Sequence, residues 1–468
     1  MVRPGCPRPR GDPLMGETAL SSAPLRYTVH NRFPGEHLLR SRGNLLKSVE
    51  LMAATDPDLA VAKTIVGRTV LVASHPDLVK EVLTGQARSL RKGLGLQRTR
   101  FVLGNGLLTS EGEFHLRQRR LAQPAFHRER IARYADVMVA RTDAMADGWA
   151  DGQRFDVARA MHHLTLDIVG RTLFDVDLQG RAAAMGKALT DVLGSFSIWL
   201  ILLGDRMYRW PLPSMRRARR ALPTLDAAIY EIIAEHRRDG RDHGDLLSML
   251  MSARDDEGDG SGMSDQQLRD EVMTLVLAGH ETTANALAWT WWYLAQHPAV
   301  DERLAAEVRA VCGERAPTMA DLPQLPYTRA VFSEAMRLRP PAYATSREVV
   351  APITLGGQTV PAGAQVIVSP WLTQRDPRWW DEPLRFDPDR WLAPRSEPRH
   401  KQAYFPFGGG TRLCIGEQFA WTEGILLIAS LVRRWRFELT VPPESIRPEA
   451  AVTLRPAPGV PVVCRRRP

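Results

Sequence analysis

The stretch Phe405–Gly416, FPFGGGTRLCIG, sets one cysteine, Cys414, behind three consecutive glycines and in front of an apolar run. Gly408, Gly409 and Gly410 permit left-handed or bulged backbone that a Cβ would forbid, so several N–H groups can turn toward one sulfur. The residues after Gly416, EQFAWTEGILLIASLVRRW, have the length and apolar content of a buried helix. A thiol near the start of that helix sees the positive end of the macrodipole, and with Arg412 close by the thiolate is favoured over the thiol. The chemistry on offer is thiolate ligation of a metal. A lone cysteine is more often an inert buried hydrophobe, so its surroundings must decide.

A second stretch is unusual in the same way. Ser264 followed by Gln267 forms a capping-box signal, and no proline interrupts the chain until Pro298. A helix reaching about Gln296 would run ~50 Å at ~1.5 Å per residue. Its centre, Ala278 to Thr283 (AGHETT), puts a glycine, an acid and two β-branched alcohols where a core helix prefers Leu and Ala. Thr282 lies one turn beyond Ala278, so its hydroxyl can bond back to that carbonyl or turn into a local opening of the helix. Gly279 lets a flat group approach the backbone. Further on, Glu334 and Arg337 share one helix face at i,i+3 before Pro340 and Pro341. Such a pair on a surface contributes only ~0–1 kcal/mol.

The elements that must carry these residues are mostly helical. Patterns of helical period span Leu38–Ala54, Glu113–Ala122, Ile131–Trp149 and Val157–Phe174, while Thr64–Val72 reads as two short strands around Gly67. Ser89–Ser110 is irregular, Thr190–Ser214 is apolar and aromatic, and Asp255–Gly262 reads as an exposed polar linker. Residues 1–22, rich in Pro, Gly and Arg, read as a disordered tail, with Met15 an alternative start; 23–468 read as one catalytic domain. The 468 residues are 44% hydrophobic and 25% charged, ordinary for a chain with a sizeable core. No apolar run approaches the ~18–20 residues of a membrane span, and Cys6, Cys312, Cys414 and Cys464 form no CxxC pair, so a reducing cytoplasm is expected. The net charge of +9 comes with dispersed arginines and no recognition motif, which argues against nucleic acid and for an acidic electron-transfer partner.

FxxGxRxCxG is matched by Phe407, Gly410, Arg412, Cys414 and Gly416. With AGHETT, the Glu334/Arg337 pair and a later Phe386, Pro388, Arg390, Trp391 segment in the same order, the chain resembles the cytochrome P-450 family of haem-thiolate enzymes, of the soluble bacterial type. The resemblance implies a mainly α fold, a large helical domain with a small β-sheet region. It implies haem b with Cys414 as proximal ligand, a thiolate that pushes electron density onto iron and favours O–O cleavage. Arg119, Arg347 and Arg412 would hold the two propionates, with His115 where tryptophan is usual. Glu281 and Thr282 would deliver protons to bound dioxygen. Glu334, Arg337 and Arg390 would brace the cysteine loop, Gln374 stands where many members have histidine, and Thr190–Ser214 matches the lid over the substrate.

The function so implied is insertion of one oxygen atom into an apolar, terpene-like or fatty-acyl-like molecule. Electrons would come from a ferredoxin or flavodoxin with its reductase, since no Gly-rich dinucleotide motif or flavin domain is present. A peroxide-using enzyme and a non-catalytic haem sensor are the alternatives. Glu281 and Thr282 speak against both.

Overall fold

Ser264 starts the helix on which the rest is packed: its Oγ accepts from Gln267 N–H at 3.3 Å while its own N–H donates to Gln267 Oε1 at 2.8 Å. The computed structural model describes residues 23–29, 33–175, 188, 191–192, 210–255, 260–395 and 399–468. Seven helices frame the site and are labelled in chain order: α1 (Gly112–Ala122), α2 (Arg128–Asp147), α3 (Val157–Phe174), α4 (Pro213–Asp239), α5 (Asp265–Leu294), α6 (Pro326–Leu338) and α7 (Glu417–Val432). Helix α5, ~45 Å long at ~1.5 Å per residue, is buried from Leu268 to Leu294 except at Ala278, Gly279 and Thr282. Two glycines set how closely its neighbours lie. A Cβ on Gly279 would stand 3.2 Å from Val169 of α3, and one on Gly424 of α7 would overlap the Phe332 ring of α6 at 2.2 Å.

The β region is a five-stranded sheet, β1 (Leu59–Lys63), β2 (Thr69–Ala73), β3 (Leu90–Lys92), β4 (Thr345–Val349) and β5 (Gln365–Val368), in the order β1-β2-β5-β4-β3. Its register places Lys92 opposite Arg347. A separate hairpin, Arg447–Ala450 with Leu454–Ala457, is tied to α5 by Trp289 Nε1 donating to the Leu454 carbonyl at 3.0 Å.

Several local expectations need correction. The strand before Gly67 ends at Lys63, because Leu59–Ala62 is the buried run and Thr64–Arg68 is the turn, closed by Thr64 N–H on the Arg68 carbonyl at 2.8 Å. Leu38–Ala54 is two helices, Glu36–Arg40 and Leu45–Ala53, parted by left-handed Arg42 and Gly43 and restarted by an Asn44 cap. Ser89–Ser110 holds β3 and two short helical turns, Leu94–Gln97 and Arg100–Leu103. Asp255 is no exposed linker residue: it is buried and paired with Arg117 at 3.2 Å and Arg120 at 2.9 Å. The tail 1–22 and most of Thr190–Ser214 lie outside the described residues.

Candidate active site

A cavity of about 940 Å³ gathers the residues singled out above. Cys414 reaches it at the end of a loop shaped by left-handed Gly408 (φ 75°) and Gly410 (φ 67°). A side chain at Gly410 would fall 2.0 Å from the Leu83 carbonyl oxygen, so only glycine lets the loop lie on that segment. Cys414 N–H donates to the Phe407 carbonyl at 3.1 Å, and the Phe407 ring packs 5.6 Å from Trp421, centroid to centroid. The loop therefore presents sulfur at a fixed height above the first turn of α7.

Cys414 is exposed on the cavity wall yet deep in the protein, and burial raises its thiol pKa. The Gly416 N–H and the Arg119 charge oppose this without overcoming it. Arg412 is not the charge that favours thiolate here, contrary to the reading of the sequence. Its Nη1 donates to the Leu90 carbonyl at 3.1 Å and its Nη2 pairs with Glu111 at 2.5 Å. A bound metal cation would supply the missing stabilisation of the anion.

The three openings in α5 face the same cavity: Ala278, Gly279 and Thr282 all line it. Thr282 Oγ1 donates to the Ala278 carbonyl at 2.7 Å, the back-bond its spacing suggested. Glu281 does not line the cavity; it is buried, burial raises its pKa, and its Oε1 accepts from Thr453 at 2.7 Å.

At another part of the wall, positive charge is in excess. Arg347, buried, donates to Thr345 Oγ1 at 3.1 Å and the Ser346 carbonyl at 3.0 Å, and pairs with no carboxylate among the described residues. Burial and the Arg412 charge push its pKa down to about 10. Lys92, opposite it, is buried with Nζ on the Leu107 and Ser110 carbonyls, and burial together with Arg412 and Arg347 lowers it to about 7. Arg347 and Arg412 line the cavity with Lys92 behind them, and Glu111 is the acid that all three share, an arrangement that favours a group bringing its own carboxylates. Arg119 and His115 do not line the cavity. Arg119 Nη1 donates to the Leu413 carbonyl at 2.8 Å, clasping the cysteine loop, and buried His115 is lowered to about 4 by burial and by Lys92, Arg412 and Arg119. A thiol, an open stretch of helix and unbalanced cations around one large cavity fit haem.

Glu334, Arg337 and Arg390 form a buried bracing cluster. Arg337 donates from Nε and Nη2 to the two Glu334 carboxylate oxygens, each at 2.8 Å. Arg390 Nε, Trp391 Nε1 and Asp387 N–H donate to the same carboxylate at 2.9, 3.0 and 3.0 Å. Gln374 joins this cluster to the loop: its Nε2 donates to the Met336 and Arg337 carbonyls, and its Oε1 accepts Phe405 N–H at 3.0 Å.

Sequence reasoning missed Thr453, Lys92, Glu111 and Glu423. Only Glu423 carried a signal, an acid within an otherwise apolar helical run. It is fully buried, its neighbour is Thr283 without a hydrogen bond of good geometry, and burial raises its pKa from 4.5 to about 8. Below pH 4.5 the acid is neutral folded or unfolded; above it the unfolded chain loses a proton that the folded protein keeps. Stability contributed by this group therefore falls as pH rises from about 4.5 to about 8 and levels beyond. Glu423→Gln should flatten that slope in denaturant titrations across the window, and an unaltered slope would show that the carboxyl ionises freely.

Comparison with known proteins agrees with this geometry. The family model for cytochrome P-450 matches residues 38–462. Cyclooctatin synthase of Streptomyces melanosporofaciens is 41% identical over 438 residues, covering 92% of this chain and 95% of that protein. Cyclooctat-9-en-7-ol 5-monooxygenase of the same organism is 39% identical over 367 residues, 78% of this chain and 79% of its own. The crystal structure of the cytochrome P450DA heme domain superposes with a TM-score of 0.83 at 28% identity, covering 96% of this chain and 98% of that one. No helix among the described residues is long and apolar enough to cross a membrane. The chain belongs to the cytochrome P-450 family and is a monooxygenase of it, using haem, dioxygen and redox partners to oxidise an apolar substrate.

Proposed function

We propose that this monooxygenase oxidises a cyclic, terpene-like molecule in the cytoplasm, through one catalytic domain spanning 23–468. The observation that carries the reading is the shared cavity, where Cys414 and the open stretch of α5 meet a wall of Leu94, Leu96, Leu108, Leu275, Ala286 and Val452. Kinship with relatives named for cyclooctatin and cyclooctat-9-en-7-ol supports the substrate class.

Haem b, bound here, would activate dioxygen at a thiolate-ligated iron. Cys414 supplies the sulfur. Arg347 and Arg412 would hold its carboxylates, which would relieve the charge excess around Lys92, and Arg119 fixes the Leu413 carbonyl beside Cys414. Phe407 and Gly416 leave a flat group room at the loop, and Gly279 and Ala278 keep the facing helix open. Thr282 offers a hydroxyl on the cavity wall, and Glu281, kept protonated more readily by burial, is the proton source behind it. The apolar walls orient substrate and exclude bulk water. A ferredoxin or flavodoxin with its reductase delivers the electrons.

Two measurements test this. A cyclic terpene alcohol should shift the ferric spin state on titration, whereas a preference for a long-chain fatty acid would replace the substrate class. Thr282→Ala should load haem and bind substrate normally, yet form product ~10²-fold more slowly while electrons emerge as hydrogen peroxide. Fully coupled turnover in that variant would remove Thr282 from proton delivery.

A further inference from the structure

Glu281 is turned away from the place where its proton is needed. Thr282 and Thr283 line the cavity, and so does Thr453 at the tip of the hairpin, but Glu281 does not. The link between the acid and the cavity wall is the Thr453 hydroxyl, 2.7 Å from Glu281 Oε1. Asn285, one turn along α5, fixes the sense of that bond. Its Nδ2 donates to Thr453 Oγ1 at 2.8 Å, so the threonine oxygen accepts from the amide and its hydrogen is directed to the carboxyl.

Asn285 is itself oriented. Its Oδ1 lies 3.3 Å from His162 Nε2, and His162 Nδ1 lies 3.3 Å from His280 Nε2. Burial lowers both imidazoles, His280 to about 3, so each is neutral and has one N–H to give. With His162 donating to the Asn285 oxygen, its Nδ1 must accept from His280. Donors then run one way, from His280 through His162, Asn285 and Thr453 to Glu281. Reversing one link by itself would leave like groups facing each other in a buried site, donor to donor or acceptor to acceptor. The hairpin end cannot drift, because Leu454 N–H holds the Pro341 carbonyl at 2.9 Å and Trp289 holds the Leu454 carbonyl at 3.0 Å.

We propose that Thr453, aimed by Asn285, is a latch that holds the Glu281 carboxyl off the cavity wall, and that exchanging this contact for one in the cavity brings the carboxyl to Thr282. Thr453 is in this sense a positioning residue, acting through Glu281. The inference rests on the proton-delivery reading above.

The test uses the resting ferric holoenzyme and has two readouts. Infrared difference spectra against Glu281→Gln isolate the Glu281 carboxyl stretch, and peroxide released per NADPH oxidised measures coupling with a surrogate redox system. Thr453→Val should shift the carboxyl band as the hydroxyl donor is lost and raise peroxide yield several-fold, and Thr453→Ser should restore both. Asn285→Ala, which lies off the cavity wall, should shift the band in the same direction by less. If Glu281→Gln is impaired while Thr453→Val and Asn285→Ala leave the band and the peroxide yield at wild-type values, the latch is overturned and proton delivery stands. If Glu281→Gln is fully coupled, proton delivery itself falls, and the latch with it.

Discussion

Arg337→Ala should yield almost no haem-loaded protein. The side chain is fully buried and makes two bonds to Glu334, and its remaining donors hold the carbonyls of Gln374, Pro383 and Arg385 at 2.8, 2.7 and 3.2 Å. Breaking a buried ion pair from one side costs about 3–5 kcal/mol. Each abandoned buried carbonyl adds about 1–3 kcal/mol. Total stabilities are only about 5–15 kcal/mol. Arg337→Lys should rescue little, because an ammonium cannot reproduce a planar fork that serves a carboxylate and three carbonyls together. The check is the ratio of haem to protein absorbance after purification, with the denaturant midpoint of whatever folds. A variant within ~1 kcal/mol of wild type would place the pair among ordinary surface contacts.

Cys414→Ser should separate fold from chemistry. The loop is held by its glycine turns, by the Cys414 N–H bond to Phe407 and by Gln374, none of which uses sulfur. Circular dichroism should therefore match wild type, while the dithionite-reduced carbon monoxide complex loses the red-shifted Soret band of thiolate ligation and turnover drops below detection. Persistence of that band would mean another group ligates the iron.

What could be read from the sequence was what lies close together along it. The Ser264 cap, the Thr282 back-bond to Ala278 and the Glu334–Arg337 pair are each set by one turn of helix, and the glycine loop around Cys414 is set by neighbouring φ angles. Thr453 is different. It meets Glu281 across 172 positions, and nothing in AVTLRP signals that its threonine will reach an acid in α5. Arg119 was expected to hold a propionate, but the direction of its side chain, toward the Leu413 carbonyl, depends on how α1 lies against the loop. Arg412 shows the same limit from the other side: proximity to Cys414 suggested a thiolate partner, while Glu111, distant in sequence, claims the guanidinium. Of the two strands read in Thr64–Val72, the one after Gly67 is present and the one before it was misplaced, because β-branched residues on both sides of Gly67 disguised a turn that one Thr64–Arg68 bond defines.

Gln374 also shapes how this enzyme can diverge. Its bonds, with those of Glu334, Arg337 and Arg390, run among residues 334–405, so the scaffold of the cysteine loop is inherited as one block. The apolar positions Leu94, Leu96 and Leu108 on the cavity wall belong to none of those bonds. Libraries confined to those three positions can explore new substrate shapes while the yield of cofactor-loaded protein stays level.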